Sequence, residues 1–137
     1  MNKITLALAF LLILSSCGVR QTRDMLTSGD YDGAIQSAAE GLRGNKNAKG
    51  KQEYAYMLEE AFAKAKERDL RNIDAWFKDA NPQNLEKIYD TYVQLNARQE
   101  RIRPILPVRL LKEGRDAIFP FDDYSDQIVS SKNALAK

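Results

Sequence analysis

The stretch from Lys51 to Asp79 runs without a glycine or a proline and carries the longest helical pattern in the chain. Tyr54, Leu58, Ala61, Phe62 and Ala65 recur at helical spacing on one stripe. Leu70, Ile73, Trp76 and Phe77 form a second stripe, rotated by roughly a quarter turn at ~100° per residue. One long helix with different partners at its two ends explains this, as do two helices meeting near Glu67-Arg68-Asp69. The absence of any breaker favours continuity or a slight kink. Trp76 and Phe77 are the candidate interaction aromatics, although their large apolar area more often ends in a core.

Two further helices flank this one. Asp30 or Asp32 suits the cap of a helix carrying Tyr31, Ala34, Ile35, Ala38, Ala39 and Leu42 on one face, with Gly29 as the stop of the preceding segment. After Asp79, Asn81 suits an N-cap and Pro82 the first helical position. Leu85, Ile88, Tyr89, Tyr92, Val93 and Leu95 then make an apolar face. Helical continuation of that face lands on Asn96, Gln99 and Arg103. Either the helix outruns its core, or these three form a candidate polar seam whose side chains bond the segment Pro104 to Pro107. The two prolines favour an extended conformation there. Arg109-Leu110-Leu111 and Ala117-Ile118-Phe119 can pair as a small hairpin around Glu113-Gly114. A lone hairpin is marginal in water, so it has to lie on the helices. Asp122 or Asp123 then caps a last helix with Tyr124, Ile128 and Leu135 inward. The expected fold is mainly α, four or five helices in hairpins, with an extended proline-containing segment over 103–121.

Gly29, Asp30, Tyr31, Ala34, Ile35 and Leu42, with Ala38 on the packing face, resemble the second half of a tetratricopeptide repeat. That family turns between paired helices at a Gly-Asp-Tyr-like corner followed by alanine and an aliphatic. Gly41 stands where the family prefers alanine, and Lys46 falls near its usual proline. The resemblance implies stacked helical hairpins. A solenoid usually needs about three repeats to bury its faces, and here there is room for about two, so a partner or self-association is expected to cover the rest.

The amino-terminal residues have a separate logic. Met1-Asn2-Lys3 is basic, Ile4 to Leu14 is apolar, and Ser15-Ser16-Cys17 is small, which is the layout of a secretory signal. The apolar run makes only about 17 Å of helix at ~1.5 Å per residue, short of the roughly 30 Å of a bilayer core. Leu14-Ser15-Ser16-Cys17 resembles the lipobox of bacterial envelope lipoproteins, a leucine and two small residues before an invariant cysteine. That resemblance implies lipid on the Cys17 sulfur, cleavage before it and an acylated new amino terminus. It implies a signal peptide at 1–16, after which a lipid-anchored tether at 17–23 and, by length and helical pattern, a single helical domain at 24–137 are expected. Gly18 stands where aspartate favours inner-membrane retention, so the outer membrane, facing the periplasm, is expected.

Composition narrows the chemistry. The chain has no histidine, which removes Ser-His-Asp and Cys-His catalysis and histidine-based zinc sites. Its one cysteine is the proposed anchor, so no internal disulfide can form. No phosphate-cradling or metal-binding loop is present. The formal charge is +2, with basic residues spread among acidic ones, and no nucleic-acid footprint is expected. No cofactor, metal or catalytic residue is expected. The leading expectation is a non-enzymatic, lipid-anchored adaptor that binds another envelope protein through a helical surface. A binder of a peptide or glycan ligand, and a hydrolase using Asp122 and Asp123, are the alternatives.

Overall fold

The computed structural model describes residues 3–137, and for 6–16 the backbone alone. Met1, Asn2 and the side chains at 6–16, all within the expected signal segment, lie outside the described residues. The chain is mainly α-helical with one small antiparallel hairpin. Its elements are α1 (Lys3–Thr27), α2 (Tyr31–Leu42), α3 (Gln52–Asp79), α4 (Asn84–Ile102), β1 (Arg109–Leu110), β2 (Arg115–Asp116) and α5 (Ser125–Leu135). The residues expected as one domain group into two compact units, Met1–Phe62 with Pro107–Ile118 and Ala63–Leu106 with Phe119–Lys137. The unbroken α3 contributes to both, as the lack of breakers favours.

In the first unit, α1 and α2 form a helical hairpin. Gly29 takes the left-handed φ of 87° that closes α1. Asp30 caps α2, its Oδ1 accepting from the Gly33 amide at 3.0 Å. Leu26 from α1 and Ala34, Ile35, Ala38 and Leu42 from α2 are buried. Thr22 is buried with them: its Oγ1 lies 2.6 Å from Oγ of the half-buried Ser37 and donates to Gly18 O at 2.8 Å. The stretch 17–23, expected as a tether, is therefore helical, with Thr22 fully buried.

Tyr54 of α3 explains two glycines. A Cβ on Gly41 would stand 2.7 Å from three atoms of the Tyr54 ring, and one on Gly18 would collide with its hydroxyl. The ring thus sits where α1 and α2 each omit a side chain. The alanine that a tetratricopeptide repeat prefers at position 41 does not fit here.

The small hairpin pairs Arg109 with Asp116 and Leu110 with Arg115. The first strand begins where the sequence suggests. The second starts at Arg115 rather than Ala117, because Gly114 adopts a φ of 63° and turns the chain back within four residues. Ala117 N–H still reaches Val108 O at 2.7 Å. Gln52, Tyr56 and Glu59 of α3, one helical turn apart, hold the hairpin. Gln52 accepts from Leu111 N–H at 2.9 Å and donates to Arg109 O at 3.0 Å. The Tyr56 hydroxyl donates to Glu113. Glu59 takes Arg115 in a two-pronged pair at 2.8 and 3.1 Å and accepts from Ile118 N–H at 2.7 Å. The Arg115 guanidinium holds the Glu59 carboxyl below the usual carboxylate range.

In the second unit, Ile73, Ile88, Leu95 and Tyr124 form the core, with Trp76, Tyr92 and Ile128 packed against it. Helix α4 begins at Asn84, two residues beyond the expected Pro82, because Asn81 caps a turn first: its Oδ1 accepts from Gln83 N–H at 3.0 Å. The expected extended segment opens with a 3-10 turn over Arg103–Ile105 and becomes extended only at Leu106. Tyr124, not Asp122 or Asp123, holds the N-cap position of α5 and makes no side-chain cap; Asp123 stands one residue earlier, its Oδ1 accepting from the Ser125 amide at 2.9 Å. Leu135, expected inward, is 42% exposed, since α5 ends beyond the core.

The packing of Tyr54 reverses an ordinary helix rule. Glycine to alanine inside a helix normally stabilises by ~1 kcal/mol. Gly41→Ala is expected to destabilise by about 1–3 kcal/mol, the usual cost of overpacking. Thermal or denaturant melting checks this, and a gain in stability would show that Tyr54 does not fill the groove.

Candidate functional site

Cys17 lies on the surface of α1 as a free thiol. It immediately precedes Gly18, which backs onto Tyr54. The described buried positions of α1, Thr22 and Leu26, both follow it in the chain. Cleavage ahead of Cys17 would thus retain every described α1 residue that packs in a core.

The two candidate aromatics part company. Trp76 packs against the core of the second unit, with the Lys87 ammonium 5.8 Å from its ring centre. Phe77 is 56% exposed. It lines a cleft of about 350 Å³ together with Leu85, Ile88 and Tyr92, closed on the other side by Ser130 and Ala134 of α5. Asp126 and Gln127 supply polar groups at the same cleft. Leu85, Ile88 and Tyr92 were legible as one apolar stripe. That α5 leaves part of it open was not, because helix spacing says nothing about how far a neighbouring helix covers it.

The candidate seam residues divide as well. Asn96 is half-buried and Gln99 is buried. The Gln99 side-chain amide grips the backbone of Asp122 at both ends: Oε1 accepts from its N–H and Nε2 donates to its carbonyl, each at 2.8 Å. Arg103 is exposed, bonded to Glu100 at 2.8 Å, with its guanidinium 5.0 Å from the Phe121 ring centre. Gln99 and Arg103 therefore reach the 121–122 stretch, where the sequence suggested 104–107. The 3-10 turn after α4 is what carries 104–107 off this face.

Asp122 and Asp123, the carboxylates of the hydrolase alternative, both serve local structure. Asp122 pairs with Lys66 at 2.5 Å, and Lys66 also donates to Pro120 O at 3.0 Å. That ammonium holds the Asp122 carboxyl below its ordinary range. Ser125 does the same for Asp123 by hydrogen bonding. Burial, with the Asp122 charge adding to it, pushes the neighbouring Tyr124 hydroxyl up to about 12. Among the described residues no group of three metal-ligating side chains converges, and no helix is long and apolar enough to cross a membrane.

Removing the Gln99 side chain takes two hydrogen bonds from the Asp122 backbone. Gln99→Ala is expected to cost about 1–3 kcal/mol, with hydrogen exchange accelerating at Asp122 and not at Leu106. An unchanged midpoint with a protected Asp122 amide would remove the seam.

Comparison of the chain with models of protein families, with curated proteins and with solved structures finds no match.

Proposed function

We propose that this chain is a bacterial envelope lipoprotein, anchored through lipid on Cys17, that acts as a non-enzymatic adaptor for another envelope protein. The observation that carries the reading is the run Ile4 to Leu14 followed by Ser15-Ser16-Cys17, with Cys17 exposed just ahead of the first packed turn of the chain. Gly18 supports placement in the outer membrane facing the periplasm. The surface favoured for the partner is the Phe77 cleft, where apolar side chains stand open to solvent beside a few polar ones. The same cleft favours a second reading, a binder of a peptide or glycan ligand.

Cys17→Ser removes the group that would carry the lipid. The expected result is an uncleaved or soluble protein in place of a membrane-bound one carrying added lipid mass. Membrane fractionation and intact mass decide this, and a wild type without lipid mass would end the lipoprotein reading. For the adaptor, Phe77→Ala is expected to leave melting within ~0.5 kcal/mol, as exposed changes usually do, while abolishing crosslinks to a partner in membranes. Unchanged crosslinks would move the partner surface elsewhere.

A further inference from the structure

The basic residues are less evenly spread than their overall balance suggests. Between Gly41 and Gln52 stand Arg43, Lys46, Lys49 and Lys51, with no acidic residue among them. This segment joins α2 to α3 and its course is fixed. Lys51 Nζ donates to Arg43 O at 2.6 Å, closing the loop on itself. Asn47 Oδ1 accepts from Arg109 N–H at 3.2 Å, pinning its middle. Arg43 and Lys49 are exposed, and Lys46 and Lys51 half-exposed.

The α1–α2 hairpin decides which end of the first unit this loop occupies. Thr22 pairs with Ser37, so the helices run antiparallel. Gly18 and Gly41 both back onto the Tyr54 side chain. Cys17 therefore lies beside the carboxyl end of α2, where the basic loop starts. Arg20, exposed and one turn from Cys17 on α1, adds a fifth positive charge. The acidic residues that flank this loop in the chain are Glu40, which is exposed, and Glu53, which Arg23 engages at 3.3 Å.

We propose that the Arg43–Lys51 loop is a membrane-facing basic surface that binds anionic phospholipid headgroups next to the lipid on Cys17. The proposal rests on the anchor reading above. Lipid at Cys17 brings this end of the unit to the headgroups, where charges act over ~10 Å at 0.1 M salt. Each basic residue near an anionic leaflet is worth about fivefold in affinity.

The test uses the full protein purified from bacterial membranes, with intact mass reporting lipid on Cys17. The protein is reconstituted into vesicles of phosphatidylcholine alone or mixed with phosphatidylglycerol, and treated with an amine-acetylating reagent. Mass spectrometry then reads each lysine. The expected result is severalfold slower acetylation of Lys46, Lys49 and Lys51 in the anionic vesicles, abolished at high salt. Lipid mass with equal acetylation in both vesicles would overturn the basic face and keep the anchor. Selective protection without lipid mass would keep the basic face and remove the anchor. Equal protection by inorganic phosphate without vesicles would make the loop a simple anion site and overturn the membrane assignment.

Discussion

The small β-hairpin cannot stand alone, and the way α3 holds it governs the first unit. Two strands of two residues leave most of their backbone groups without sheet partners, and isolated hairpins are marginal at best. Gln52 and Glu59 answer that need from one side of α3, and Tyr56 between them bonds the Glu113 side chain. They do so with side-chain donors and acceptors, which lets a helix serve as the hairpin's third strand. Val108 and Leu110 are fully buried as a result. Ala55, Leu58, Ala61 and Phe62, all buried on α3, recur at helical spacing beside these polar positions.

The second unit uses a similar device with charge. Asp69 is buried on α3 and takes Arg98 of α4 at 2.6 Å and Arg68 at 3.0 Å. Breaking such a buried pair by removing one partner costs about 3–5 kcal/mol, although an apolar replacement of both is often harmless. The pair therefore contributes more to the register of α4 on α3 than to net stability. Gln99, the next residue on α4, fixes the chain entering α5. Two consecutive positions thus set where α3, α4 and α5 meet.

The apolar stripes were legible because helices repeat their faces every 3.6 residues, and Leu58, Ile73, Ile88 and Leu95 are all buried. Breakers were legible too: Gly29 and Asp30 act where their chemistry suggests. Polar stripes were not. Gln52 and Glu59 gave no signal of their role, since a residue's capacity to bond a distant backbone leaves no local mark. Gln99 was singled out because it continues an apolar face, yet its partner at Asp122 was beyond reach of spacing. Gly41 read as a defect in a repeat until Tyr54 showed what occupies its missing side chain. Of the candidate site, Phe77 was legible as an aromatic, and its separation from Trp76 depended on where α5 ends.

The helical state of 17–23 limits how far an anchored unit could extend. An extended tether gains about 3.3–3.6 Å for each residue, whereas a helix packed through Thr22 gains about 1.5 Å and cannot swing. With lipid on Cys17, the first unit would have no leash. It would diffuse in the plane of the bilayer as a fixed fitting, held at the headgroups from its first residue.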